Sequence, residues 1–366
     1  GTGAATELTL PTGVTLKTDM KPRFAILGQW VVVVNTPSRN LAVNAKGEVR
    51  LLVPRAPLSA PWLSSSGSGN LTGSYSVKAS FVVKGPDGQD YMESPLSPAS
   101  NTVSLAAAKL LANDVPISDE TVSAVRLYRT AAGGSTYYKW IDKGDNLGGD
   151  MLDDLPDASL QLLPVDAGLL ITPPGTLEGT RMRSIVQWQN RLWGTDSDVD
   201  NRDKVFVTEV GSIYKWANTI LISPAGQDKR GVLGFIPRKN ELGIVKRDGI
   251  WQITGTAPSN FRSVQIAGSD PKNPGYGGGV ATDTCLVVNN VGYWLGKDGI
   301  YEWAGDRIQN ITKDHVHPWF NTDDYFNRSR FSQAFAVYNA PKDIVYFFLA
   351  AAGSSVGDRW IGFDRG

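Results

Sequence analysis

The only two histidines, His315 and His317, stand in the segment KDHVHPWF, where alternate spacing would place both on one face of a strand. Two imidazoles can begin a zinc site, but zinc takes three or four protein ligands, and Asp314 is the sole local addition. The pair therefore reads as a surface or interface feature. The segment DSDVDNRD, Asp196 to Asp203, gathers four aspartates in the manner of half a calcium loop. It has no glycine where such a loop turns sharply, and Val207 occupies the place of the closing glutamate, so a solvated loop between strands is expected. The single cysteine, Cys285, lies in the apolar run TCLVVNN; it has no partner for an internal disulfide and reads as a packed core thiol. No paired-carboxylate, Ser-His-Asp, phosphate-loop or nucleotide pattern is present, and PGYGGG (Pro274 to Gly279) has no strand-to-helix context and reads as a flexible loop. The expectation is a non-enzyme with no cofactor and no bound metal.

What organises these residues is a repeat. NELGIVKRDGIWQITG, from Asn240, and NVGYWLGKDGIYEWAGDRI, from Asn290, are offset by 290 − 240 = 50 residues, and the same offset relates Asp248-Gly249 to Asp298-Gly299. One step back lands on Asn190 in IVQWQNRLWGTD, and one step forward falls beside Asn339 in FAVYNAPKDIVYFFLA. Each unit reads as a strand, a turn near Asn, a second strand, a tight reversal at Asp-Gly and a third strand, since Asn and Gly tolerate the positive φ of hairpin turns. The third strands are placed at Ile250 to Thr254 and Ile300 to Trp303, with Ser212 to Trp216 and Arg359 to Phe363 as looser equivalents. KRDGIW and KDGIY look superficially like the Asp boxes of sialidase propellers, but Asp and Gly are adjacent and the Ser and Thr are absent. Gly249, Gly299, Asp248 and Asp298 are thus structural turn residues, and Trp251, Tyr301 and Trp303 are packing residues. Antiparallel meanders at this period are β-propeller blades.

Arg23 to Val53 has the same order of elements, so about five or more blades are expected, visible at 23–53, 181–222, 231–268, 280–312 and 331–365. The alternating stretch TELTLPTGVTL, Thr6 to Leu16, is expected to close the ring by pairing with the last blade, which would remove a sheet edge. Between the first and second blades the period breaks. A Ser/Gly/Pro-rich bridge, APLSAPWLSSSGSGN, leads into strand-like runs in GSYSVKASFVVKGPDGQDYMESPLSPASNTVSL and VSAVRLYRTAAGGSTYYKWIDKG, with one helix-like patch at Leu105 to Asp114. LLPVDAGLLITPPG returns the chain to the repeat. The expected organisation is 1–66, first blade and closing strand; 67–168, an inserted β-sandwich hanging from two Pro-rich segments; and 169–366, the remaining blades.

The insert resembles immunoglobulin or fibronectin type III-like modules, on the strength of YSVKASFVVKGPDGQDYMESPLSPAS and VRLYRTAAGGSTYYKW. A propeller interrupted early by such a module is similar to structural proteins of tailed-bacteriophage tails, of the nozzle or tail-hub type. That resemblance implies a virion component assembled in the host cytoplasm, in a homo-oligomeric ring of six copies around the channel through which DNA leaves. It also implies contacts with other tail proteins such as adaptor and fibres, with Trp62 and Tyr91 as candidate interface anchors.

Composition agrees with this reading and excludes others. The 366 residues, 41% of them hydrophobic, suffice for two cores. No run reaches the ~18 apolar residues of a membrane helix, and no basic-plus-apolar leader opens the sequence, which begins at Gly1 without Met. The 36 basic and 36 acidic residues cancel, unlike a dedicated nucleic-acid binder, so genomic DNA is expected to pass without sequence-specific binding. The alternative is a carbohydrate-binding or glycan-hydrolysing propeller with aromatics exposed on one rim.

Overall fold

The computed structural model describes residues 7–11, 14–18, 21–52, 54–84, 88, 90–120, 122–160, 182–196, 202–213, 216, 218–222, 231–268 and 276–365. The chain is all-β, built of seven small sheets with two four-residue helices among the described residues. Within them, no helix is long and apolar enough to cross a membrane. Two compact units are distinguished: residues 1–22, 28–180 and 211–218, and residues 23–27, 181–210 and 219–366.

Five sheets are simple meanders. The first is β1 (Arg23–Leu27), β2 (Trp30–Val34), β3 (Leu41–Asn44) and β4 (Val49–Leu51). The insert then supplies β5 (Trp62–Tyr75), β6 (Val77–Lys84), β7 (Asp90–Glu93), β8 (Val103–Asn113), β9 (Ala124–Thr130), β10 (Tyr137–Lys143) and β11 (Met151–Asp153). The second meander is β12 (Met182–Trp188), β13 (Arg191–Asp196), β14 (Lys204–Val207) and β15 (Asn218–Leu221). The third is β16 (Val232–Pro237), β17 (Leu242–Lys246), β18 (Gly249–Thr254) and β19 (Arg262–Ala267). The fourth is β20 (Leu286–Val288), β21 (Val291–Leu295), β22 (Ile300–Ala304) and β23 (Arg307–Asn310). The last has three strands, β24 (Phe335–Asn339), β25 (Ile344–Leu349) and β26 (Arg359–Asp364).

The repeated asparagine is a turn residue. Gln189-Asn190 and Asn289-Asn290 all have positive φ (50°, 55°, 48° and 67°), as a two-residue hairpin of matching twist requires at both central positions. The Asp-Gly pairs work differently from the sequence expectation. Lys246 pairs with Gly249, so the reversal itself is Arg247-Asp248 and the glycine stands just past it. Gly249 and Gly299 have φ of 153° and 150°, and a Cβ there would lie 2.2 Å from the Ala267 carbonyl oxygen and 2.2 Å from Thr312 Oγ1. Glycine is therefore demanded by the end of the fourth strand pressing on this corner. Three strands per unit is corrected to four in the first four meanders, and the third strand of the second is Lys204–Val207, not Ser212 to Trp216. β15, β19 and β23 are short, partly exposed edge strands.

Within the second unit every inner meander buries both of its faces. In the third, Leu242, Ile244, Trp251 and Ile253 pack back onto Trp188, Trp193, Val205 and Val207 of the second. Ile236, Val245 and Ile250 point the other way, onto Trp294, Tyr301 and Trp303 of the fourth. Tyr293, Leu295 and Ile300 of the fourth join Val345, Phe347 and Leu349 of the last. Hydrogen bonds tie successive first turns together: Trp188 Nε1 donates to the Arg238 carbonyl (2.7 Å), and Arg238 donates to the carbonyls of Asn290 (3.0 Å) and Gly305 (2.9 Å). Trp251, Tyr301 and Trp303 are buried as expected. The PGYGGG segment is not a loose loop where described: the Gly277 carbonyl accepts from Trp294 Nε1 (2.8 Å) and Gly279 N–H donates to the Lys246 carbonyl (2.8 Å).

The insert is two sheets, β10-β9-β6-β7 and β11-β8-β5, closed on one core that includes Val77, Phe81, Leu110, Leu127 and Trp140. It starts at Trp62, ahead of the expected boundary at 67, because the Ser/Gly bridge is itself a fourteen-residue strand paired with β8. The helix-like patch Leu105 to Asp114 is likewise strand: Leu105, Ala108, Leu110 and Ala112 are buried in the core, and that burial overrides alanine's helix preference. LLPVDAGLLITPPG falls outside the described residues.

ESPLSPASN prolongs the β7 side of the sheet without being a strand. Ser94, Ser97 and Ser100 donate N–H to the carbonyls of Phe81, Ala79 and Val77 (2.8, 2.8 and 2.9 Å). Their Oγ atoms accept from the N–H groups of those same residues (2.8, 2.9 and 2.8 Å). Each hydroxyl then donates to the next residue's carbonyl, Pro95, Pro98 or Asn101. Proline brings no N–H of its own, so a serine every third residue satisfies the β6 edge.

Among the described residues of Thr6 to Leu16 the expected closing strand does not form. Leu16 bridges Pro37, Lys17 N–H donates to the Thr36 carbonyl (3.0 Å) and Ser38 N–H to the Thr15 carbonyl (2.8 Å), while residues 7–11 are irregular. Pro11 removes a ladder donor from that stretch, and the last sheet keeps three strands among the described residues.

Gly249→Val and Gly299→Val should each destabilise by about 3 kcal/mol or more, read as a fall in the urea midpoint. Asp298→Asn should move it by less than about 0.5 kcal/mol, since the Tyr301 hydroxyl, which donates to Asp298 at 2.8 Å, finds an acceptor in the amide too. Comparable losses for both classes of variant would contradict this assignment.

Candidate assembly surfaces

The residues singled out for metal or catalytic chemistry disperse into structure. His315 and His317 do not share a strand: they lie in the turn that enters the short helix Pro318–Asn321, where Asn321 Nδ2 lies 3.1 Å from His317 Nδ1. No group of three or more His, Cys, Asp or Glu side chains is placed to hold a metal among the described residues. Of the aspartate cluster, residues 197–201 lie outside the described residues. Asp203, however, pairs at 2.8 Å with Lys246 Nζ, a side chain wholly removed from solvent that also sits 4.9 Å from the Trp251 ring centre. That corrects the reading of Asp203 as part of a solvated loop. Cys285 lies just before β20, half-buried, with its sulfur packed where a Cβ on Gly234 would be 2.8 Å away. Burial pushes the thiol up to about 12, which leaves almost no thiolate at neutral pH.

A polar cavity of about 640 Å³ lies between the third and fourth meanders, lined by Glu241, Gln252, Tyr276, Trp303 and Asp306 among others. One of its two carboxylates is already engaged: Glu241 pairs with Arg238 (2.8 Å) and accepts from Gln252 (3.2 Å). The Trp303 ring is buried and covered by the Arg238 guanidinium at 4.4 Å, so it offers no face on which a sugar stacks.

In the first unit, the insert is held by more than its two connecting segments. Arg39, in the β2–β3 connection, forms an ion pair with Glu120 of the insert, both side chains less than 5% exposed. Arg55 adds its N–H to the same carboxylate at 3.0 Å and its guanidinium at 3.5 Å. Burial lowers the Arg39 pKa, and Glu120 partly offsets that. Inside the sandwich, Arg126 is surrounded by Asp142 (2.6 Å), Asp90 (2.6 Å) and Glu93 (2.8 Å); burial opposes its charge, and these carboxylates more than compensate, raising its pKa. Trp62 opens β5 and is 64% exposed. Tyr91 lies in β7, but its side chain is outside the described residues.

The most exposed aromatic surface was not singled out by the sequence. On β24–β26, cross-strand pairing sets Phe335 opposite Phe348, Phe348 opposite Trp360, and Val337 opposite Tyr346. Phe335 and Phe348 stack at 4.7 Å, and Tyr346 meets Trp360 edge-on at 5.3 Å. Trp360 is 62% exposed and Val337 44%. The signal was legible in IVYFFL, which is apolar at every position: Val345, Phe347 and Leu349 serve the core, leaving Ile344, Tyr346 and Phe348 to the other face. β1 shows the same imbalance in FAIL, with Ala25 and Leu27 buried but Phe24 57% and Ile26 64% exposed.

Comparison with known proteins gives no family. No family profile matches the chain, and no curated protein matches it. Among solved structures, it is similar to the extracellular domain assigned to a hybrid two-component system of B. thetaiotaomicron, with 9% identity and a TM-score of 0.33 over 97% of this chain and 39% of that one. Kluyveromyces lactis Hsv2 matches with 10% identity and a TM-score of 0.25 over 71% of this chain and 61% of that one. Citrobacter koseri AztD matches with 12% identity and a TM-score of 0.26 over 79% and 70%. This chain therefore spans less than two thirds of the length of the first two, and at these scores none of the three bears on its function.

Glu120→Ala should lower stability by about 3–5 kcal/mol, because it strips the carboxylate from a buried guanidinium, whereas the double change Arg39→Met with Glu120→Met should cost clearly less. Urea midpoints of the three proteins check this, and a double variant at least as unstable as the single one would contradict it.

Proposed function

We propose that this chain is a structural component of a bacteriophage tail, a nozzle or hub subunit whose meanders are β-propeller blades and whose insert is a fibronectin type III-like module. The observation that carries this reading is the 50-residue meander repeat interrupted, after its first unit, by a sandwich with its own core. Blades buried on both faces make stiff walls. The equal numbers of acidic and basic residues suit a wall past which DNA slides, since no cationic excess holds phosphates. In this reading the subunit forms a ring of identical copies, six by resemblance, in the virion after assembly in the host cytoplasm. Its neighbours are other tail proteins, with exposed Trp62 among the contacts.

The glycan-binding alternative draws no support from the polar cavity, whose tryptophan is covered. Imaging of purified particles carrying a label on this chain should show a ring of density at the tail. A single copy per particle, or no copy, would overturn the proposal.

A further inference from the structure

Within the second unit the first strands of successive meanders stack in series, β1 on β12, β12 on β16, β16 on β20 and β20 on β24. Three core clusters fill the spaces between consecutive meanders from the second to the last. Each inner sheet therefore presents one apolar face backward and one forward, and both are covered. The series has two ends. At one, β1 buries Ala25 and Leu27 and leaves Phe24 and Ile26 open; at the other, the last sheet buries Val345, Phe347 and Leu349 and leaves Val337, Tyr346, Phe348 and Trp360 on its far side. Exposed apolar side chains aligned across strands on one sheet face are a signature of an interaction surface, whereas isolated ones are ordinary.

We infer that the two end faces are the two halves of one contact between copies of this chain: the β1 face of one copy, Phe24 and Ile26, covers the Tyr346–Phe348–Trp360 face of the next. Three facts favour this occupant. The contact continues the face-to-face stacking already established inside the chain, with an aliphatic and aromatic strand laid on an aromatic sheet as at the inner junctions. In the single chain both faces stay open, so neither is the cover of the other in cis. The faces are also different from each other and lie at opposite ends of the series, so their pairing is head-to-tail, which closes into a ring when the rotation between copies closes and runs on as a filament when it does not. This deepens the tail-ring reading by naming its contact, and rests on it only for the final ring.

The test uses the full chain and two charge-inserting variants, Ile26→Glu and Trp360→Glu, at positions exposed enough for folding to survive; matching thermal melts verify that it does. Sedimentation velocity across a dilution series should show the unaltered chain associating into dimers and larger species, and each variant alone remaining monomeric. An equimolar mixture of the two variants should recover dimers and nothing larger, because each supplies the face that the other has lost. Three results overturn the inference: an unaltered chain that is monomeric throughout, a variant that associates as well as the unaltered chain, or a mixture that forms no dimer. Particle imaging stands apart from this. Rings in particles without association through these faces sink the contact alone, while association in solution by a chain absent from particles sinks the tail reading alone.

Discussion

A β-sheet of three or four short strands has two faces, and in this chain both are apolar. That constraint explains more of the second unit than any single bond. β17 reads Leu-Gly-Ile-Val-Lys and is buried at every position, so each residue must find cover on one side or the other. A lone meander of this kind would expose as much apolar surface as it hides, and at ~25 cal/mol per Å² it is stable only when stacked. Repetition at a fixed period is the economical solution, since the backward face of each copy fits the forward face of the one before.

Polar groups inside this apolar stack serve alignment. Arg238 reaches across to the Asn290 and Gly305 carbonyls of the following meander, and its guanidinium caps Trp303. Lys246, wholly buried, is balanced by Asp203. Such groups contribute little net stability over an apolar substitute of the same shape, but an unmatched one costs several kcal/mol, so they penalise any slip of one sheet over its neighbour. The sandwich follows the same logic with Arg126 among its three carboxylates. Its serine ladder is the backbone analogue, because each Oγ meets an N–H that no strand supplies a partner for.

Much of this was legible in the sequence wherever a residue is chosen for its backbone. Asn190, Asn290, Gly249 and Gly299 mark the corners because few residues tolerate their φ, and two-sided runs such as LGIVK of β17 mark sheets covered twice. What stayed hidden is what context decides. The edge strands RIQN and NTIL are four residues long, too short for an alternation to stand out. β8 became strand because Leu105, Ala108, Leu110 and Ala112 bury into the core of the sandwich, and WLSSSGSGNLTGSY became strand because β8 lay beside it. The ion pair Arg39–Glu120 joins residues far apart in the chain, and nothing local in either segment announces it. The runs FAIL and IVYFFL announce two apolar faces, but that one face of each stays open is decided by their place at the ends of the series, which no local pattern encodes.

Hydrogen–deuterium exchange along the chain tests most directly the claim that each sheet depends on cover from both sides. In dilute solution the amides of β17 and β21 should exchange slowest, and those of β1 and β26 many times faster; concentrating the protein should slow β1 and β26 while leaving β17 and β21 unchanged. If β1 and β26 are as protected as β17 in dilute solution, the ends of the series are not open and the account is wrong.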